Sequence, residues 1–232
     1  MLIGHFAVGL AAKRVAPKVS VGTLVLASVV ADLLFWLFIL LGIEHVRVQP
    51  GITATNALDL YDIPISHSLL MDTVWAALLG AAYFLRHRYP RGACVIFIVV
   101  LSHWLLDFVS HRPDIPLAPG VHTYLGLGLY NSRLGIFIVE GLLWVIGVAT
   151  YARATTPRSR AGVFGFWVVV MLLTVLWIGS LSGNPPSNLR AAGISSLIFF
   201  ICVVAWAYWM NRARTVRGAD RTDSVVTGGN AG

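Results

Sequence analysis

The sequence predicts an all-α fold, a polytopic transmembrane helix bundle with six spans plus a short N-terminal half-depth helix. Composition is the first observation, since 57% of the 232 residues are hydrophobic and only 12% are charged. The second is the length of the apolar runs, because a hydrocarbon core about 30 Å thick needs roughly 20 helical residues to cross it. Together these observations exclude an ordinary soluble domain.

The short helix comes first, over residues 2–12, which are too few to span a bilayer, and it ends near Pro17. Its charges, Lys13 and Arg14, follow the apolar stretch, whereas a secretory signal begins with them, so we expect the helix to remain in the mature protein. Longer apolar runs follow. They cover residues 19–43, 65–85, 93–111, 133–151, 162–181 and 191–210.

Basic residues lie between the spans and favour one face of the membrane. If the spans alternate, thirteen of the 17 Lys and Arg residues fall on one face. Only Arg47, Arg112, Arg133 and Arg190 fall on the other. The positive-inside rule therefore predicts that the rich face and the C-terminus are cytoplasmic. The net charge of +7 then reflects membrane topology, and no nucleic acid is expected as a partner.

Ionisable residues within the apolar segments all precede residue 152. The sequence thus predicts a metal-site helical unit over residues 1–151 and a helical pair over 152–211 that completes the bundle. Residues 212–232 are polar and Gly-rich, and we expect a disordered cytoplasmic tail. The connections at 44–64 and 112–132 are long enough to bind a ligand or to cover a site.

Buried acidic residues carry the chemical signal. A carboxylate at the centre of a membrane helix costs about 2.5 to 3.5 kcal/mol, so it needs a partner. The span interiors offer Asp32 and Asp107 no Lys or Arg, which leaves histidines, a bound metal ion or a shared proton. His103 and Asp107 are four residues apart, so they share a helix face and can bind one ion. His111 extends that stripe by one turn.

Membrane depth tests whether ligands on different helices can meet. Counted from the cytoplasmic ends at about 1.5 Å per residue, His5, Asp32, His103 and Asp107 are level within about two turns. His67 lies higher, but the residues before its helix allow the chain to dip towards the others. The sequence therefore predicts a pocket in the extracytoplasmic half of the membrane, with these five residues as metal ligands.

In chain order, the polar residues form the series Gly4-His5, Ala31-Asp32, Ser66-His67-Ser68 and Ser102-His103-x3-Asp107. Over residues 1 to about 140, this series resembles the YdjM-like proteins, a family of membrane-bound metal-dependent hydrolases in which the same motifs recur. The resemblance implies a hydrolase of the bacterial inner membrane.

The order His, Asp, His, His-x3-Asp is also similar to the zinc-dependent phospholipase C and P1 nuclease group, which are helical phosphodiesterases with three zinc ions. This similarity implies that Asp32, His67 and His103 bind one zinc ion. It further implies that Asp107 bridges to a second zinc ion held by His5. That group also uses its N-terminal amine as a ligand, but four residues precede His5 here, so the role is not carried over.

The third zinc ion of that group uses two later histidines and a His-x3-Glu pair. This chain has His111, His122 and Glu140 downstream but no His-x3-Glu pair, so the similarity does not imply a third ion. Glu140 could equally be a protonated structural residue. Arg112 and Asp114 either hold the anionic part of a substrate or form an interfacial salt bridge. The candidates for additional metal or hydrogen-bonding roles around the site are His111, Glu140, Asp72, Ser66 and Ser102.

A metal-activated water can attack a phosphorus or carbonyl centre, so we expect hydrolysis of a phosphoester or ester of a lipid-like substrate. The expected catalytic residues are Asp107, His103 and Asp32, with two divalent ions, most simply zinc. Two alternatives remain open. One is an ion- or proton-coupled transporter, although no internal repeat is visible. The other is a non-catalytic membrane protein whose His and Asp residues join the helices.

Overall fold

A computed structural model of the chain describes residues 1–217, within which there are seven α-helices. They are α1 (Leu2–Val15), α2 (Val21–Leu41), α3 (Leu69–His87), α4 (Pro90–Ser110), α5 (Arg133–Ala154), α6 (Arg160–Ser180) and α7 (Leu189–Ala213). Helices α2 to α7 are long and apolar enough to cross a membrane, which confirms the all-α bundle with six spans. Helix α1 has 14 residues, or about 21 Å, and is shorter than a span.

Side chains cap the first turns of five helices, each accepting a hydrogen bond from a backbone N–H. The caps are Ser20, Ser68, Ser132, Ser159 and Asn188. Helix α4 begins instead at Pro90, whose fixed φ and missing N–H suit a first turn. Helix α2 ends at Gly42, which adopts a left-handed φ of 69°. The observed helix ends lie within a few residues of the predicted span ends.

Three antiparallel strand pairs, which the sequence analysis did not predict, shape the connections. They are β1 (His45–Val48) with β2 (Leu58–Asp62), β3 (Ile115–Pro116) with β4 (Tyr124–Leu125), and β5 (Thr155–Pro157) with β6 (Arg214–Val216). A short 3-10 helix, Leu129–Asn131, precedes α5. The first two pairs and this turn form what we call the loop end of the bundle. The third pair lies at the opposite end.

The predicted disordered tail begins with ordered structure, contrary to expectation. Residues 212 and 213 belong to α7, and β6 pairs with β5. Arg214 explains the order, because its buried guanidinium donates to the Thr155 hydroxyl at 2.9 Å and lies 4.9 Å from the Phe166 ring centre. The rest of the predicted tail, 218–232, lies outside the described residues.

Helix α1 packs inside the bundle, against α2, α4 and α5. Its closest approach is to α5, where a Cβ added to Gly147 would lie 2.5 Å from the Ala7 carbonyl oxygen. Small residues at such crossings let membrane helices approach closely. Because Ile3, Phe6 and Leu10 are buried in the core of the bundle, the N-terminal helix and its histidine are held among the spans.

Candidate metal centre

All five predicted ligands converge near the loop end. His5 comes from α1, Asp32 from α2, and His103 and Asp107 from α4. His67 lies two residues before α3, which begins only at Leu69, so the irregular chain ahead of the helix carries the imidazole to the other ligands, as predicted.

The Asp107 carboxylate lies between two sets of imidazoles. Its Oδ2 is 3.1 Å from His103 Nε2 and 3.6 Å from His67 Nε2. Its Oδ1 is 3.1 Å from His5 Nε2 and 3.9 Å from His111 Nε2. One oxygen therefore faces each set, which is the arrangement that a carboxylate bridging two ions requires.

Asp32 completes the set on the Oδ2 side. Its Oδ1 is 4.0 Å from both His67 Nε2 and His103 Nε2, and those two nitrogens are 3.4 Å apart. Two donors bound to one tetrahedral zinc ion at about 2.0 Å lie roughly 3.3 Å from each other. The spacing of Asp32, His67 and His103 therefore suits a shared divalent ion after small side-chain movements, and these described residues could hold a metal.

His103 lies close to both sets but can serve only one ion. Its Nδ1 is 3.0 Å from the Ser28 carbonyl oxygen, which accepts a hydrogen bond and thereby fixes the proton on Nδ1. The single lone pair of Nε2 then faces the centre. We therefore assign His103 to the first set, with Asp32 and His67, and leave His5 and Asp107 Oδ1 for the second set.

The N-terminal nitrogen also reaches the centre. Met1 N lies 2.6 Å from Asp107 Oδ1 and 3.0 Å from His5 Nε2. Because α1 begins at Leu2, Met1 and His5 are separated by about one helical turn and face the same carboxylate. The amine was left out of the ligand set because four residues precede His5. That reason was wrong, since the first turn of α1 brings the amine back to the centre.

Hydrogen bonds orient His67 towards the centre. Glu44 Oε2 accepts from the Ser66 hydroxyl at 2.5 Å, and the same hydroxyl oxygen is 2.8 Å from His67 Nδ1. Because the Ser66 proton is directed to Glu44, the Ser66 oxygen accepts from Nδ1–H and leaves the Nε2 lone pair facing Asp107. Ser66 therefore has the hydrogen-bonding role predicted for it.

Glu44 was not selected from the sequence, although it is nearly fully buried just after α2. Its Oε1 accepts from the backbone N–H groups of Ile65 at 2.7 Å and Ser66 at 2.8 Å. Burial raises the pKa of the Glu44 carboxyl above its ordinary value, although these hydrogen bonds act in the opposite direction. An acidic residue at the exit of a span was the only signal that could have identified it.

We expect Glu44→Gln to weaken metal binding by about 10- to 100-fold, as substitutions of hydrogen-bond partners of metal ligands do. A glutamine NH2 in place of Oε2 would donate to Ser66, which would then donate to His67 Nδ1 and move the imidazole proton to Nε2. Zinc titration of the purified protein measures the effect. Asp62→Asn is the control, because Asp62 is half-exposed and its ion-pair partner among residues 1–217 is His45. Equal affinities of wild type and Glu44→Gln would contradict the proposed orientation.

Three other candidates do not join either ligand set. Ser102 donates to a carbonyl of its own helix at 2.7 Å, so its predicted bond to a metal-binding histidine is wrong. The Asp72 carboxylate is buried on α3, outside both ligand sets and without a hydrogen-bond partner among the described residues. Glu140 accepts from Gly4 N at 3.1 Å and Trp177 Nε1 at 2.7 Å, which favours the structural alternative.

Arg112 and Asp114 form an ion-pair network instead of lining the cavity. Arg112 Nε lies 3.1 Å from Asp114 Oδ2, and its terminal nitrogen pairs with Asp59. The structure thus favours the interfacial salt bridge over the substrate-binding role. Asp114 also lies near His111, with Oδ1 3.4 Å from Nδ1.

A cavity of about 540 Å³ adjoins the centre and reaches Asp32, His67, Asp107 and His111. Tyr130, which the sequence analysis did not select, also lines it, and its ring packs against His111 with 5.0 Å between centroids. Burial raises the pKa of the Tyr130 hydroxyl to about 12, so this group stays protonated and can donate a hydrogen bond. The sequence feature that could have identified Tyr130 is its position in the 112–132 connection, which is long enough to bind a ligand or to cover a site.

Comparison with family models, curated proteins and solved structures found no match to this chain. The resemblances described above therefore remain predictions based on the order and spacing of the polar residues.

Proposed function

We propose that this chain is a membrane-embedded metal-dependent hydrolase with a two-ion centre, related to the YdjM-like family. The Asp107 carboxylate carries the proposal, because its two oxygens face separate imidazole sets beside a cavity. Imidazole and carboxylate donors at these spacings suit zinc, which is the metal we propose.

Each residue of the centre has a separate role in the proposed hydrolysis. Bound divalent ions supply a Lewis acid and lower the pKa of a bound water towards neutrality. Asp107 and His103 would hold the ions; both side chains are buried, and Asp107 lines the cavity. Asp32 has the most exposed side chain of the five ligands, at 21%, so it is placed to accept a proton from an attacking water. The Tyr130 hydroxyl lines the cavity and can donate a hydrogen bond to a developing negative charge.

The substrate class follows from the cavity walls and from the membrane spans. Apolar side chains of Phe35, Leu58, Leu176 and Phe199 line the cavity beyond the polar centre. An ester or phosphoester of a lipid-like molecule would place its polar group at Asp107 and its apolar part against these walls. The asymmetry of basic residues supports an orientation with the centre in the extracytoplasmic half. The resemblance to the YdjM-like family is the ground for proposing a bacterial inner-membrane location.

Metal removal tests the proposal. The protein purified in detergent should contain about two equivalents of zinc and should hydrolyse a chromogenic phosphodiester or ester. Chelation should abolish the hydrolysis, and added zinc should restore it. Less than half an equivalent of metal, or full activity after chelation, would overturn the assignment.

A metal-free network that joins helices is the second candidate. It is favoured by the Met1 amine, which lies 2.6 Å from Asp107 Oδ1 and can neutralise that buried carboxylate without an ion. The same elemental analysis separates the two candidates, because a network of this kind binds no stoichiometric metal.

A further inference from the structure

The cavity beside the metal centre continues between α6 and α7. Its walls there are Leu176 and Ser180 of α6, and Ser195, Ser196 and Phe199 of α7. These residues belong to the end of α6 and the beginning of α7, which both lie at the loop end, where Arg133 donates to Ser182 O at 3.2 Å. The cavity therefore extends from the metal centre towards the outer surface of the bundle.

Helices α6 and α7 are joined at the opposite end of the bundle. There, Trp206 Nε1 donates to the Gly165 carbonyl oxygen at 3.0 Å, and a Cβ added to Gly162 would clash with the Ala213 carbonyl. The last turns of α6 and the first turns of α7 border the cavity instead of packing in this way.

At the loop end, α6 and α7 pack against different neighbouring helices. Helix α6 packs on α5, where a Cβ added to Gly141 would lie 3.2 Å from the Trp177 ring. Helix α7 packs on α2, where a Cβ added to Gly193 would lie 3.1 Å from a Leu40 methyl. The two helices that were predicted to act as a pair therefore pack on different neighbours at the loop end. We call the part of the cavity that they border the α6–α7 gap, which is lined by Leu176, Ser180, Ser195, Ser196 and Phe199.

The α6–α7 gap is bordered by apolar surface that faces outwards from the bundle. Leu176 of α6 both lines the cavity and is 43% exposed on a membrane-spanning helix, so the cavity wall meets the outer surface there. The gap serines add little polarity, because Ser180 and Ser195 donate to carbonyls of their own helices at 2.7 and 3.0 Å. A hydrocarbon chain therefore meets a largely apolar opening with the polar centre at its inner end.

We propose that the α6–α7 gap is a lateral portal that binds the hydrocarbon chain of an amphipathic ester or phosphoester. This inference rests on the proposed function and adds the route and orientation of the substrate. A cavity of about 540 Å³ accommodates a head group with a short length of chain. The remainder of the chain extends through the gap into the surrounding lipid.

Ser196→Trp tests the portal, because an indole at this cavity-lining position fills the gap. We expect it to lower the ratio of kcat/KM for an octanoyl ester to that for an acetyl ester by about 10-fold, since a few methylenes lose their binding surface. Ile198→Trp is the matched control. Ile198 is 57% exposed on the same helix and does not line the cavity, so this variant should keep the wild-type ratio.

A photoreactive amphiphile with a diazirine in its acyl chain gives a readout that does not depend on hydrolysis. It should label residues around the end of α6 and the beginning of α7 in wild type and in Ile198→Trp, and label Ser196→Trp several-fold less. Labelling of this pattern without any hydrolysis would support the portal and end the proposed function. Ester hydrolysis with an unchanged chain-length ratio and unchanged labelling in Ser196→Trp would overturn the portal and leave the proposed function standing.

Discussion

Asp107→Ala is expected to lose both metal ions and to lower the hydrolysis rate by at least about 1,000-fold. No other side chain among the described residues faces both imidazole sets with separate oxygens. Its removal therefore takes one ligand from each ion and also leaves His5 and His103 without their shared carboxylate. Elemental analysis and the rate of ester hydrolysis, both on detergent-purified protein, measure the two effects.

Asp107→Asn separates ligation from packing, because the amide keeps the volume of the carboxylate. We expect this variant to remain monodisperse in detergent and to lose metal as Asp107→Ala does. Asp62→Asn should retain wild-type metal content and rate, since Asp62 lies on β2 with a 46% exposed side chain. Two bound ions and a wild-type rate in Asp107→Asn would show that the bridging assignment is wrong.

The spans and the clustering of the principal His and Asp side chains could be predicted because their causes are local. Crossing a bilayer requires long apolar helices, and a carboxylate inside one needs a partner whatever the rest of the fold does. The helical rise then placed His5, Asp32 and Asp107 at one depth without any knowledge of which helices are neighbours. The structure brings these residues together.

The groups that orient the ligands could not be predicted, because they depend on chain paths that are not periodic. Glu44 reaches Ser66 only because the β1–β2 pair returns the chain to the end of α2. Ser66 and Ser102 both directly precede a histidine, yet their contacts differ. Ser102 lies inside a helix and bonds to its own backbone, whereas Ser66 lies in an irregular segment and is free to reach Glu44.

The role of Arg112, at the surface, also could not be predicted from the sequence. From the sequence, an arginine one turn beyond Asp107 suited a substrate anion as well as it suited a salt bridge. Asp59, on β2, supplies a second carboxylate to its guanidinium and decides between the two. Tyr130, from the turn before α5, lines the cavity beside the centre, and no spacing rule links that turn to Asp107.

His5→Ala and His67→Ala are each expected to lose one of two ions and to lower the rate by about 100- to 1,000-fold. His5 faces only Asp107 Oδ1, whereas His67 faces only Oδ2, so each substitution opens one ligand set and leaves the other complete. Zinc stoichiometry should therefore fall by half in each single variant and to near zero in the double variant. His87→Ala, at the exposed end of α3, should keep the wild-type content. If either single variant lost both ions together, the division into two independent ligand sets would be wrong, because independent sets can be emptied one at a time.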